Sequence, residues 1–321
     1  MNYTKEQIKQ VCENKYVGLT NRDNSEVVFG VRTRASVIFR ILRKHYPKFL
    51  KELDKSTLTK SGPKILTFDI ETAPNKSYHW GLWQQNIGLN MMCNEWYILS
   101  WAAKWMGVDE VMYEDKRDSW NDEDDLRLLK GIWKLLDEAD IVVTQNGKKF
   151  DVKKLNARFV LAGMQPPSSY KHIDTLIIAK RHFAFTSNKL EWMTKALCKK
   201  FKKLDHGKFS GFSLWSECLK GNPEAWDEME EYNRYDVLSL EELVHILAPW
   251  SNQMPQLDMY YNDHDNHCFC GSTDFSPNGF AYTGVSKFVR LKCDKCGSEK
   301  RDRTNLLSKE KRATLKLNVA H

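Results

Sequence analysis

The sequence ILTFDIETAP, residues 65–74, combines the pattern of a buried β-strand with two acidic residues. Side chains two apart in a strand project from the same face, so Asp69 and Glu71 would lie side by side. Their neighbours in the sequence are apolar. Two like charges held this close repel each other, and each loses water on burial. The segment therefore predicts a core strand whose acids need a stabilising partner.

The charge distribution along the chain favours binding to a polyanion. Across 321 residues the formal net charge is +7. Residues 1–64 carry a net +8, residues 267–321 carry +6, and residues 65–266 between them carry −7. Basic ends around an acidic centre suit two contacts with a polyanion and a middle that binds cations. From charge alone, solvated lysines that happen to collect near the termini explain the pattern equally well.

Other sequence features argue against membrane and secreted classes. The chain has no run of 18 apolar residues, so we expect no membrane span. The polar N-terminus, MNYTKEQIKQ, predicts no secretory signal. We therefore expect a cytoplasmic protein.

The order of the predicted elements favours an α/β fold with a mixed sheet flanked by helices. Three early strands are followed by alternating helices and strands, which suits a sheet of this kind. The predicted strands are residues 65–71, 96–105, 110–115 and 140–145. The predicted helices are residues 4–13, 33–53, 122–138, 151–163, 188–201 and 223–247.

Further acids stand where they could join the first pair. Asp151 opens a helix directly after a strand, and Tyr232 and Asp236 lie four apart on one helix face. Four carboxylates would suit Mg²⁺ or Mn²⁺. Two such ions ~4 Å apart can activate a water and stabilise a leaving oxygen in phosphodiester hydrolysis, and Tyr232 would orient that water. Taken singly, each residue is more often a solvent-facing acid, a helix cap or a surface pair, so the hypothesis depends on the combination.

Three short motifs carrying these residues resemble the DEDD superfamily of 3′–5′ exonucleases. FDIET matches the first motif, NGKKFD the second in the form N-x-x-x-F-D, and YNRYD the third in the form Y-x-x-x-D. The sister subclass has H-x-x-x-x-D, which would place His at position 231, where this chain has Glu. The tyrosine subclass, DEDDy, therefore fits better. The resemblance covers residues 65–247 and is to stand-alone phage and bacterial enzymes. It implies that the catalytic residues are Asp69, Glu71, Asp151, Tyr232 and Asp236, with the four acids as metal ligands.

The resemblance also implies a ribonuclease H-like fold and a two-metal hydrolysis that releases nucleoside monophosphates. We expect two Mg²⁺ or Mn²⁺ ions and a nucleic acid substrate, with DNA bearing a free 3′ end favoured. A proofreading role would require a separate polymerase or replication protein as partner. If the protein is phage-encoded, its compartment would be the host cytoplasm. The alternatives are an RNase D-like RNA-processing exonuclease, a non-catalytic nucleic-acid-binding module on a nuclease fold and, as a lesser possibility, an RNase H-like endonuclease.

Four cysteines near the end of the chain predict a structural zinc site. Without a secretion signal, clustered cysteines favour metal binding over disulfides. The first pair is spaced C-x-C and not the usual C-x-x-C, so His267 or His264 could replace one of its members. The expected Zn²⁺ ligands are Cys268, Cys270, Cys293 and Cys296. This arrangement resembles a zinc ribbon, and such a short segment with few apolar residues should fold only with the metal.

We expect four regions along the chain. They are a basic helical N-terminal region (1–60), the exonuclease domain (61–255), the zinc ribbon (262–303) and a basic tail (304–321). The ribbon mixes aromatic and basic residues, which could hold a nucleic-acid strand or could form the ribbon's own small core. These residues are Phe280, Tyr282, Lys287, Phe288, Arg290 and Lys292.

Candidate substrate-binding residues lie around the predicted acids. Trp80 and Trp83, in the loop after the first strand, are expected to stack on terminal bases. Asn146 opens the second motif. Lys189 and His206 are expected to contact phosphate.

Overall fold

The computed structural model describes residues 62–201, 207–261 and 265–317. The chain divides into two compact units, of which the larger comprises residues 64–258 and 264–321. The smaller unit, residues 1–63 and 259–263, lies almost wholly outside the described residues. Several predictions therefore fall outside them too: the helices at 4–13 and 33–53, His206 and His264.

The larger unit contains ten strands and seven α-helices among its described residues, and the predicted ones follow one another in the predicted order. The strands are β1 (Ile65–Thr72), β2 (Lys76–Ser77), β3 (Met92–Asn94), β4 (Ile98–Trp105), β5 (Val111–Asp115), β6 (Ile141–Thr144), β7 (Lys171–Asp174), β8 (Phe275–Thr283), β9 (Ser286–Cys293) and β10 (Glu299–Arg301). The helices are α1 (Leu126–Glu138), α2 (Asp151–Leu161), α3 (Thr175–His182), α4 (Leu190–Leu197), α5 (Ser213–Cys218), α6 (Pro223–Leu247) and α7 (Lys309–Thr314).

A mixed sheet of five strands, in the order β5-β4-β1-β6-β7, forms the centre of the fold. β1 pairs antiparallel with β4 and parallel with β6, while β4–β5 is antiparallel and β6–β7 parallel. The predicted mixed α/β fold is confirmed. The helix expected at 122–138 begins only at Leu126. The sequence patterns did not anticipate the strands β2, β3, β7, β8, β9 and β10 or the helices α3, α5 and α7.

The two faces of the central strand have opposite chemistry. Leu66, Phe68 and Ile70 are buried in one apolar core with residues of α1 and α2. Complete burial of such a side chain stabilises the fold by about 1.5–3 kcal/mol. Asp69 and Glu71 project from the other face, where α6 crosses β1 and β4. The pairing with β4 becomes irregular between Glu71 and Thr72, so the regular β-ladder ends directly after the second acid.

The long helix α6 supplies the second half of this face. Pro223 occupies its first turn, and the Asn222 side chain accepts a hydrogen bond from the Glu224 N–H at 3.1 Å, which caps the helix. Farther along, Glu241 forms an ion pair with Lys104 of β4, and Lys104 is only 6% exposed. These contacts fix the position of the helix over the sheet.

The three-stranded sheet β10-β9-β8 forms a separate small layer near the C-terminus. Within residues 265–317 only Cys268, Phe288 and Cys293 are buried. So small an apolar core cannot by itself stabilise an independent domain.

A buried ion pair joins α1, α2 and β4. Asp125 is 2% exposed and accepts hydrogen bonds from Arg158 Nε at 2.8 Å and Nη2 at 2.7 Å. Its Oδ2 also accepts the Ile98 N–H at 2.9 Å. A carboxylate this deeply buried depends on the guanidinium for its neutralisation.

Arg158→Met should therefore destabilise the protein by about 3–5 kcal/mol, because it leaves the buried Asp125 charge unpaired. Urea denaturation measures this loss. Lys195→Ala is the matched control, since its ion pair with Glu191 is solvent-exposed and its loss should cost about 0.5 kcal/mol. Equal losses in the two variants would contradict the structural role of Asp125.

Candidate active site

Three carboxylates from β1 and α6 converge on the polar face of the sheet. One oxygen from each of Asp69, Glu71 and Asp236 lies within 4.8 Å of the other two. Asp236 is buried, and the other two are half-buried. At this separation a pair of carboxylates repels by about 3 kcal/mol for an effective dielectric constant of ~20. The group has the hard oxygen donors that could hold a divalent metal ion.

Asp151 lies at the edge of this group. It is the first residue of α2, as predicted, and is 3% exposed. Its carboxylate accepts a hydrogen bond from the N–H of Ile70, the residue between the two acids of β1, although its oxygens are not part of the 4.8 Å group. Burial raises the pKa of Asp151 to about 7, and the hydrogen bonds from the Ile70 and Asp151 N–H groups only partly oppose the shift. A nearby cation would favour the ionised form.

Asn233, which the sequence analysis did not single out, orients one of the acids. Its Nδ2 donates a hydrogen bond to Asp69 Oδ2 at 2.8 Å, and its Oδ1 accepts one from Ser100 Oγ at 3.1 Å. Asn233 is completely buried. A buried amide satisfied on both sides holds the carboxylate in one orientation. The signal was present in the third motif itself, because Asn233 directly follows Tyr232.

Trp215 of α5, also missed, contacts both Glu71 and Tyr232. Its Nε1 donates to Glu71 Oε2 at 3.2 Å, and its ring lies edge-on to the Tyr232 ring with centroids 6.1 Å apart. Tyr232 thus lies near the acids, one helical turn before Asp236. The sequence expectation of one shared helix face for these two residues is consistent with their place in α6.

A cavity of about 420 Å³ adjoins Glu71. Its lining includes Trp215, Lys154 and Phe212, of which Phe212 is 64% exposed. The Lys154 Nζ lies 3.7 Å from the centroid of the Trp96 ring. Thr72, the residue after Glu71, and Trp215, the hydrogen-bond donor to Glu71, both line the cavity, so it brings aromatic surface and a cation near this acid. Its remaining lining residues are Thr72, Ala73, Pro74, Asn75 and Trp96.

Among the predicted substrate-binding residues, both tryptophans are almost fully exposed. Trp80 is 99% exposed and Trp83 85%, in a loop whose ends are joined by the β2–β3 pair. Asn146 follows β6 in a left-handed conformation (φ 64°), and its N–H donates to Asp174 Oδ1 at 2.9 Å. Lys189 precedes α4. No hydrogen bond or ion pair described for these four residues reaches the acidic group, so their roles stay predictions.

The four cysteines form a second candidate metal centre. The Sγ atoms of Cys268, Cys270, Cys293 and Cys296 all lie within 4.8 Å of one another. The Cys268–Cys296 and Cys270–Cys293 Sγ distances are 3.4 and 3.7 Å. A tetrahedral ion with bonds of ~2.3 Å requires sulfur separations of about 3.8 Å, so the cluster could hold zinc.

Local geometry explains how an unusual C-x-C pair joins this cluster. Gly271 follows Cys270 with φ 82° and its N–H donates to the Cys268 carbonyl, while Gly297 follows Cys296 with φ 79° and donates to the Cys293 carbonyl. These tight turns direct both pairs inward. His267 lies outside the sulfur group, with its Nδ1 3.6 Å from Asp258 Oδ1.

Among the described residues, no helix is both long enough and apolar enough to cross a bilayer.

The fold and the acidic group together indicate a nuclease of the ribonuclease H-like class. The family model described as the RNase_H superfamily matches residues 88–248, which is half of the chain. The chain belongs to the RNase_H superfamily. Asp151, Tyr232 and Asp236 lie inside the matched region, whereas Asp69 and Glu71 precede it.

Comparisons with individual proteins add the following. A search of curated proteins gave no match. Among solved structures, the family B DNA polymerase from the hyperthermophilic archaeon Pyrobaculum calidifontis matches with 15% identity and a TM-score of 0.43. The match covers 58% of this chain and 25% of the polymerase chain, so this chain corresponds to a quarter of that protein's length.

Asn233→Leu should weaken Mn²⁺ binding about 10- to 100-fold, because Asp69 loses the donor that orients it. Titration of the metal-free protein with Mn²⁺, followed by electron paramagnetic resonance, measures the change. Ser100→Ala removes only the hydrogen bond behind Asn233 and should have a smaller effect. An unchanged Mn²⁺ affinity in Asn233→Leu would show that the amide does not position Asp69 for a metal.

Proposed function

We propose that the protein is a metal-dependent 3′–5′ exonuclease that hydrolyses DNA to nucleoside monophosphates. The observation that carries the proposal is the meeting of Asp69, Glu71 and Asp236 within 4.8 Å, with Asp151 hydrogen-bonded to the backbone between the first two. These four carboxylates would hold two Mg²⁺ or Mn²⁺ ions. Bound there, the ions would supply a water of lowered pKa and stabilise the leaving oxygen.

The division of the acids suits a site for two ions. Asp69, Glu71 and Asp236 are close enough to share one ion, while Asp151 stands apart from that group and is suited to the second. The raised pKa of Asp151 fits this role, because a carboxylate that is costly to ionise alone gains most from a nearby cation.

Tyr232 is the residue that we propose orients the attacking water. Its ring packs against Trp215, which in turn donates a hydrogen bond to Glu71. This contact restrains the tyrosine beside the carboxylates. A hydroxyl held in this way can accept or donate a hydrogen bond to a water in line with the scissile phosphate.

The cavity next to Glu71 supports the cleavage of a terminal nucleotide. Phe212 and Trp96 offer aromatic surface for a base, and Lys154 offers a cation for a phosphate. A cavity of about 420 Å³ has the size of a small-ligand site. Trp80 and Trp83 remain proposed partners for bases farther along the strand.

The nuclease proposal is tested with end-labelled, single-stranded DNA. Mg²⁺ or Mn²⁺ should support stepwise loss of mononucleotides from the 3′ end, and EDTA should abolish it. Asp69→Asn, Asp151→Asn and Asp236→Asn should each lower the rate at least about 100-fold, since metal binding is worth several kcal/mol. Tyr232→Phe should lower it about 100-fold if the hydroxyl acts on the water.

Glu231→Gln is the matched control, because this acid lies on the same helix but is exposed. It should retain the parent rate. Full activity in Asp69→Asn, or cleavage of circular DNA, would overturn the proposal. Faster digestion of an RNA oligonucleotide of the same sequence would instead favour the RNA-processing alternative.

We also propose that the cysteine cluster binds one structural Zn²⁺ ion through all four thiolates. Two of the three buried residues in 265–317 are these cysteines, so this segment depends on the metal for its core.

Elemental analysis should therefore find one zinc per chain. Cys293→Ser should lose it, and the segment after residue 265 should become sensitive to protease. His267→Ala should keep the zinc, because His267 lies outside the sulfur group. Loss of zinc in His267→Ala with retention in Cys293→Ser would contradict the four-cysteine assignment.

A further inference from the structure

The β8–β9 hairpin presents two aromatic rings to solvent. Phe280 is 45% exposed and Tyr282 70%, and their spacing of two places them on the same face of β8. Across the hairpin Tyr282 pairs with Lys287 and Phe280 with Val289. We call Phe280, Tyr282 and Lys287 the ribbon platform.

A cation lies over this aromatic surface. The Lys287 Nζ is 3.7 Å from the centroid of the Phe280 ring and 6.0 Å from that of Tyr282. Within the part of the chain that the structure describes, no carboxylate lies within ion-pair distance of Lys287. Its charge is therefore available to an anionic ligand.

The other aromatic residue of the hairpin behaves differently. Phe288 is 8% exposed, and the Arg301 guanidinium lies 4.2 Å from its ring centroid on the opposite face. Phe288 belongs to the ribbon's own small core. The two interpretations of this aromatic and basic composition therefore apply to opposite faces of the hairpin. Against the residues that the structure describes, the rings of the ribbon platform stay 45% and 70% exposed.

The charge around the platform indicates the kind of ligand. Residues 286–316 contain 11 basic and 4 acidic groups, a net charge of +7. Aromatic rings combined with basic side chains are how many proteins bind single strands, because bases stack on the rings and phosphates contact the cations. An acidic ligand without planar groups would leave the two exposed rings unused.

We propose that the ribbon platform binds a single-stranded stretch of DNA, with bases stacked on Phe280 and Tyr282 and a phosphate at Lys287. This inference rests on the proposed function, since the strand would be the one whose 3′ end is hydrolysed. It assigns the ribbon a part in holding substrate in addition to its zinc-dependent fold.

The test measures the affinity of the full-length Asp69→Asn protein, without Mg²⁺, for two fluorescent oligonucleotides. One is oligothymidylate. The other has the same length and the same four nucleotides at its 3′ end, but abasic sites elsewhere, so the acidic site meets identical ends. Phe280→Ala/Tyr282→Ala should weaken binding of oligothymidylate about tenfold or more. It should weaken binding of the abasic strand less than twofold.

Separate variants distinguish stacking from charge. Tyr282→Phe keeps the ring and should bind both strands like the parent. Lys287→Ala should reduce the slope of log K against log salt by about 0.7, as expected for one lost phosphate contact with a single strand. Lys220→Ala, which removes an exposed lysine paired with Glu217, should leave that slope unchanged.

Zinc content reports whether each variant keeps its fold. If the double variant loses zinc, Tyr282→Ala alone carries the test, because its ring is largely exposed. Oligothymidylate bound equally by parent and variants would overturn the proposal and leave the platform to a protein partner.

The same proteins separate this inference from the nuclease proposal. A parent chain that cleaves no oligonucleotide in Mg²⁺ but still needs the two rings for base-dependent binding would overturn the nuclease proposal alone. Cleavage with no dependence of binding on the rings would overturn the platform alone.

Discussion

Mutual repulsion among the carboxylates of β1 and α6 is the constraint that the surrounding α/β fold has to balance. On flexible loops, Asp69, Glu71 and Asp236 would relieve it by moving apart. Here β1 pairs with β4 from Leu66 to Thr72, and α6 is fixed by the ion pair between Lys104 and Glu241, so the backbone holds the three acids together. Hydrogen bonds from Asn233 to Asp69 and from Trp215 to Glu71 relieve part of this repulsion, and protonation or a bound cation can relieve the rest.

The two candidate metal centres differ in how they relate to the fold. The oxygen site lies on a large, well-packed fold that supplies its own stability, so its stability would not depend on a bound ion. The sulfur site lies in a segment with only three buried residues among those described, where a bound metal would take the place of a core. Hard oxygen and soft sulfur ligands also keep the two kinds of ion apart.

Local sequence patterns predicted much of the fold, including β1 and α6, the two elements that carry the acidic group. Strand β1 was predicted from its apolar residues, and α6 was predicted with its observed bounds because Pro223 and the apolar periodicity mark it clearly. The short elements β7, α3 and α5 were missed, since four to eight residues give too little periodicity to distinguish helix from strand.

Residues that act through tertiary contacts were the harder part of the site. Asn233 is 164 positions from Asp69 in the sequence, and Trp215 is 144 positions from Glu71. No local sequence pattern predicts contacts over such separations. Composition alone also could not show that Phe280 is exposed and Phe288 is buried. This difference follows from the register of the β8–β9 hairpin, which determines the face on which each ring lies.

The strict alternation along β1 also limits how this gene can change. Loss or gain of one codon within the strand would exchange its two faces, burying the acids among leucines and turning the apolar residues toward α6. Such a variant would lose the packing of the core and the acidic group at the same time, so selection could not retain one without the other. The exposed segment between β2 and β3 has no such coupling, so length variation among natural variants should collect there and spare the strand.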